Sequence, residues 1–144
     1  MRKIAVILIT MILFMAVGCS NKDIIKRHYI SKGENDVWIA KYSVDVTGTW
    51  DKKDNKLHYE GNSNDTLTVT YKKNVSQLSS AKHLKISYKS SVGSGSIGQN
   101  SPRKKTYTMT SSGTGGAIDD KDEVIKVTIN LDGKIQTIEL KNEK

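Results

Sequence analysis

A chain of 144 residues with a single cysteine and a single proline is long enough for one domain with its own hydrophobic core and too short for two. One cysteine excludes a disulfide framework, so the core must hold unaided. The formal net charge of +8 suggests anionic neighbours such as lipid headgroups or wall polymers, but the lysines are scattered and accompany no RNA- or DNA-reading motif, which argues against nucleic acid.

The chain begins with Arg2 and Lys3, continues as an apolar run from Ile4 to Val17 broken only by Thr10, and closes that run with Gly18, Cys19 and Ser20. A run of this length suits the core of a signal peptide and is short for a bilayer span. Charge, apolar run and small-residue exit occur in the order that predicts cleavage. A buried helix or an uncleaved N-terminal anchor is the alternative. Ala16-Val17-Gly18-Cys19 resembles the bacterial lipobox, with Ala16 where leucine is commoner. The resemblance implies that residues 1–18 are removed and that the Cys19 thiol is acylated. The domain would then be held by lipid on the extracytoplasmic face of the cell membrane. Two acyl chains give stable anchoring where one is marginal. In leader, size and composition the chain is similar to small cell-envelope lipoproteins of Gram-positive type whose function is unassigned.

Residues 19–36 are expected to be the lipidated cysteine and a flexible tether, since they lack sustained periodicity and end in the turn-rich Gly33-Glu34-Asn35-Asp36. Lys22, Lys26, Arg27 and Lys32 would rest on an anionic membrane surface. Ile24, Ile25, Tyr29 and Ile30 alternatively form a helical turn or dock on the domain.

Residues 37–144 are expected to form the domain. Trp38, Ala40, Tyr42, Val44 and Val46 alternate with mostly polar neighbours, the pattern of a half-buried strand. Asp51 to Asn55 predicts a turn, Leu57 to Glu60 a short strand, and Gly61-Asn62-Ser63-Asn64-Asp65 a second turn. Leu67, Val69 and Tyr71 then alternate with threonines, a sequence of high β-propensity. Residues 75–82 allow a single helical turn. The segments starting at Leu67 and Leu84 share the pattern L-x-[VI]-[TS]-Y-K, which reads as two strands in similar environments, because two copies are too few for a stacked repeat. A further strand is expected near residues 105–111.

The C-terminal segment is the clearest. Ile125, Val127, Ile129 and Leu131 lead into Asp132-Gly133, and Gln136, Ile138 and Leu140 return. Asp-Gly suits a type I′ turn, whose central residues need φ > 0. That register sets Val127 against Ile138, Ile125 against Leu140 and Lys126 against Glu139. The expected class is therefore all-β, an antiparallel sandwich of about seven strands. Immunoglobulin-like packing is one form of it, without the cysteine pair that would sharpen that assignment.

Few residues carry chemical signals. Gly93-Ser94-Gly95-Ser96-Ile97-Gly98 spells the dinucleotide-binding glycine pattern, but Gln99, Asn100, Ser101 and Pro102 cannot open the helix that pattern requires, so a flexible loop is expected. Arg103, Lys104 and Lys105 follow it and form the candidate anion-binding site, suited to a phosphate or carboxylate. Asp119, Asp120, Asp122 and Glu123 miss the spacing of a calcium loop, with Val124 where a ligand would stand. His28, His58 and His83 belong to no metal-ligand motif, and no G-x-S-x-G elbow occurs. Neither metal nor cofactor is expected. Trp38 is read as core and Trp50 as a cap at the end of its strand, or an exposed anchor.

These features predict a membrane-anchored, non-catalytic binding or interaction module whose partner is an anionic wall polymer or an envelope protein. The alternatives are a small envelope hydrolase or accessory factor acting on wall material, for which no acid/base constellation is visible, and an immunity-type lipoprotein that binds one protein partner.

Overall fold

A computed structural model describes residues 23–53, 56–91, 93–115 and 122–143. Residues 1–18, expected to be a signal peptide, and Cys19 lie outside these residues. Eight strands follow in chain order: β1 (Asp23–Glu34), β2 (Trp38–Lys53), β3 (Lys56–Tyr71), β4 (His83–Lys89), β5 (Ser94–Asn100), β6 (Thr106–Thr114), β7 (Ile125–Leu131) and β8 (Lys134–Asn142), with one short helix, α1 (Val75–Leu78), between β3 and β4. All pairings are antiparallel, in the order β5-β4-β7-β8-β1-β2-β3-β6. The two end strands, β5 and β6, approach within 8 Å of each other, so the sheet nearly closes on itself.

The all-β, antiparallel class is as expected, with eight strands rather than about seven. The layout comes from one sheet bent into two facing halves, β1-β2-β3-β6 and β5-β4-β7-β8. They are joined where Ser31 and Lys32 of β1 pair with Asn142 and Lys141 of β8. Inward residues of both halves fill a single core: Trp38, Tyr42, Val44, Leu67 and Val69 from one, Ile86, Ile125, Val127, Ile129 and Leu140 from the other. Each such fully buried side chain stabilises the fold by about 1.5–3 kcal/mol relative to exposure. The Tyr42 and Tyr88 rings meet across the halves at 5.5 Å.

Alternation explains β2 directly, since its even-numbered residues from Trp38 to Val46 are all buried. The repeated pattern at Leu67 and Leu84 is likewise two strands with the same inward face, because Leu67, Val69, Tyr71, Leu84, Ile86 and Tyr88 are all buried. The β7–β8 hairpin has the register read from Asp132-Gly133, including Val127 opposite Ile138 and Lys126 opposite Glu139. Its turn residues have φ of 50° and 87°.

Three expectations need correction. Asp23–Glu34 is not a tether but strand β1, paired along its whole length with β2 from Asp23–Trp50 to Glu34–Ile39, so these residues are part of the folded sheet. Gly61 to Asp65 is not a turn but the middle of the 16-residue β3. Ser94–Asn100 is not a flexible loop but β5, hydrogen-bonded to β4 with Ile97 opposite Ile86. In each case cross-strand pairing overrides the local preference of glycine, asparagine and serine for turns.

Polar side chains close the connections. Asn35 Oδ1 accepts hydrogen bonds from the amides of Val37 and Trp38 at 2.9 and 2.8 Å, holding the β1–β2 turn. Asn74 caps α1 by accepting from the Ser76 amide at 3.0 Å. Asp132 accepts from the amides of Lys82 and His83 at 3.0 and 2.7 Å, which fastens the β7–β8 turn to the start of β4.

Candidate functional site

The two halves meet at a buried polar seam. Asp65 takes an inward position on β3, between Ser63 and Leu67, and is 2% exposed. Its Oδ2 accepts a hydrogen bond from the Tyr88 hydroxyl of β4. Its Oδ1 has no hydrogen-bond partner among the described residues. Burial, then the hydrogen bond to Asp65 and the Asp65 charge, push the Tyr88 phenol up to about 12, against a lowering effect of the Ser111 hydroxyl. Beside this pair, Tyr42 Oη lies 3.1 Å from Ser90 Oγ, and the Ser90 hydroxyl donates to the Gly93 carbonyl at 3.1 Å. The seam ties β2, β3 and the β4–β5 connection together. Asp65 and Tyr88 are 2% and 4% exposed, and their hydrogen bond fixes the two halves to each other.

Above the seam, an open cleft of about 530 Å³ is lined by Ser87, Lys89, Ser91, Glu123, Lys126 and Thr128 together with Tyr88 and Ser90. The pairing of β4 with β7 sets Lys89 directly opposite Lys126. Like charges in that position repel. Glu139 faces Lys126 from β8, while Glu123 accepts from the Ser91 amide and hydroxyl, both at 2.7 Å. The two ammonium groups and the flanking hydroxyls can hold an anionic group, with Glu123 held at the rim. Sequence reasoning missed this cleft because it depends on the β4–β7 register, which no local turn announces.

Arg103, Lys104 and Lys105 are exposed in the connection between β5 and β6. The connection is pinned at both ends: the Ser101 amide donates to the Lys82 carbonyl at 2.8 Å, and the Tyr71 amide donates to the Lys105 carbonyl at 2.8 Å. Pro102 between them is buried. The three cations therefore project from a held backbone. They do not join the Lys89–Lys126 cleft, because the loop leaves from the His83 end of β4 and the cleft opens at the Lys89 end.

The other candidates stay apart. His28 Nδ1 lies 2.7 Å from Asp45 Oδ1 on the outer face, and His83 Nδ1 lies 2.9 Å from Asn100 Oδ1. His58 is exposed on β3, opposite Asp51. Among the described residues no three of His, Cys, Asp and Glu gather where they could hold a metal ion. Asp119 and Asp120 lie outside the described residues. Trp38 is fully buried, as expected of a core residue. Trp50 does not cap the core. It packs against Tyr59, its direct partner on β3, with ring centroids 4.7 Å apart.

No protein-family model matches the chain, and no curated protein or solved structure shows significant similarity to it.

Proposed function

We propose that this chain is a membrane-anchored extracytoplasmic lipoprotein whose β domain is a non-catalytic binding module for an anionic wall polymer or envelope protein. The observation that carries the reading is the joint between leader and fold. Asp23, four residues beyond the lipobox cysteine Cys19, already begins β1, so the domain stands directly on its anchor.

The cationic loop supports the binding role. Lys105 lies beside Tyr71, whereas Asp23 pairs with Trp50, the partner of Tyr59 at the other end of β3. From Tyr59 to Tyr71 an extended strand covers roughly 40 Å. Arg103, Lys104 and Lys105 thus face away from a membrane reached through Cys19. The histidines found against Asp45 and Asn100, and the carboxylate sealed beneath Tyr88, leave each of these groups occupied in structure.

Two experiments test the reading. Cells fed a fatty-acid analogue should label the protein, and Cys19→Ser should abolish the label; persistent labelling of the variant refutes the anchor. Wall polymer should sediment with the protein at low salt and release it as salt rises, and R103A/K104A/K105A should bind several-fold less. Cross-linking in living cells that captures one dominant protein at stoichiometric yield would replace the polymer with an immunity-type partner.

A further inference from the structure

The core cluster ends at Val46 on β2, but β1, β2 and β3 continue beyond it as a three-stranded ribbon. The ribbon comprises Asp23 to Arg27, Gly48 to Lys53 and Lys56 to Gly61, held in register from Arg27–Val46 to Lys53–Lys56. Six residues of strand add about 20 Å to the length of the fold. Alternation continues along it and gives the two faces different chemistry. The face continuous with the core carries Ile25, Trp50, Leu57 and Tyr59, with Asp23, Arg27 and Lys52 among them. The opposite face carries Lys26, Thr47, Thr49, Asp51, His58 and Glu60, with Ile24 as its apolar exception.

The apolar residues of this face are not covered. Leu57 is 66% exposed and Ile25 38%, and Trp50 and Tyr59 are half-buried with their rings packed together. Tyr59 lies over the backbone of Gly48, where a Cβ would come within 2.6 Å of the Tyr59 hydroxyl oxygen. The phenol is thereby laid along the ribbon next to the indole. Apolar and aromatic side chains in contact with solvent at a strand tip mark an interaction surface.

Chain length says what that surface meets. Asp23 is the direct partner of Trp50, and Cys19 precedes Asp23 by four residues, at most about 14 Å of extended chain. An acylated Cys19 therefore cannot hold the domain far from the bilayer, and the ribbon is the part of the fold nearest its attachment point. Tryptophan and tyrosine are the side chains that settle at the level of lipid headgroups, where the ring is buried and its polar edge stays wet. Arginine and lysine beside them keep their heads among phosphates.

We propose that the β1–β2–β3 ribbon lies on the lipid surface with Ile25, Trp50, Leu57 and Tyr59 at headgroup level, a second membrane contact beside the lipid on Cys19. This rests on the anchor reading above. The contact turns a single flexible attachment into two points and fixes which end of the domain faces outward.

The chain's two tryptophans make the test direct, because Trp38 is fully buried and Trp50 is in the ribbon. Lipidated full-length protein is reconstituted into phosphatidylglycerol–phosphatidylcholine vesicles carrying brominated acyl chains, with W50F as the control that leaves only Trp38. The expected result is blue-shifted emission that bromine near the headgroups quenches more than bromine at the chain ends, and loss of that quenching in W50F. Leu57→Asp, at a position 66% exposed, should reduce it. Fatty-acid labelling of Cys19 together with unquenched Trp50 emission overturns the ribbon contact alone. Unquenched emission that shifts with protein concentration assigns the face to a second copy and also overturns it. A Cys19 that carries no lipid removes the anchor and the contact together, and labelling distinguishes that failure from the others.

Discussion

Tyr88 donates its phenolic hydrogen to Asp65 across the interior of the sheet, joining β4 to β3, strands that are not neighbours in the strand order. Removing the donor leaves a buried carboxylate with neither oxygen paired among the described residues. Tyr88→Phe should therefore destabilise the protein by about 1–3 kcal/mol, the cost of an unmet buried polar group. Urea unfolding measures it. In a double-mutant cycle, adding Asp65→Leu to Tyr88→Phe should cost less than the sum of the single changes, because the partner that remained unpaired is gone.

Alkaline pH should act on the same pair. The folded-state phenol of Tyr88 is raised from 10.0 to about 12, so the folded state resists a deprotonation that the unfolded chain undergoes earlier. The corresponding stability is fully present below pH 10 and is lost as pH rises toward 12. Unfolding free energies measured across this window should fall for the wild type, and Tyr88→Phe should remove this part of the slope.

Asp132 gives the opposite dependence. Hydrogen bonds from the amides of Lys82 and then His83 hold its carboxyl below the usual carboxylate value. Its contribution is present above that value and fades as pH falls through the lowered one. Asp132→Asn keeps a residue tolerant of φ > 0 in the turn and removes the charge. The melting temperature of the variant should lie below that of the wild type at neutral pH, and the gap should close on acidification.

Gly33 guards the joint between first and last strands. A Cβ there would lie 2.3 Å from the Glu139 carbonyl oxygen and 2.9 Å from Ile138 Cγ2. Backbone cannot yield as a side-chain tip can, so Gly33→Ala should cost about 1–3 kcal/mol. Hydrogen exchange should show the Ser31–Asn142 and Lys32–Lys141 pairs losing protection before the amides of the β7–β8 hairpin.

What the sequence made legible and what it hid follow one physical line. The β7–β8 hairpin was readable because Asp132-Gly133 sets the register and one face must be buried. Asp132's second task, receiving the amides of Lys82 and His83, was not, because those partners lie 50 and 49 residues away. β1 disguised itself as a tether since its inward series, from Asp23 through Ile25, Arg27, Tyr29 and Ser31 to Gly33, is not apolar; half of it runs beyond the core and has nothing to pack against. β5 looked like a loop because a strand at the end of a sheet needs few apolar residues, and Ile97 alone supplies its packing against the core. Asp65 sat in a five-residue stretch of turn formers, and only its distant partner Tyr88 reveals why an acid belongs there. The exposed cations at Arg103, Lys104 and Lys105 were visible as adjacent letters, whereas Lys89 and Lys126 become neighbours only through pairing.

The seam between β1 and β8 also orders events in time. β1 finds its second neighbour only in β8, more than a hundred residues later, with Ser31 waiting for Asn142. A polypeptide that emerges N-terminus first holds β1, β2 and β3 as a meander, but cannot join its two halves until β8 is free. Completion of the fold is thereby tied to the arrival of β8, and the long loop closed by that step makes it a slow one.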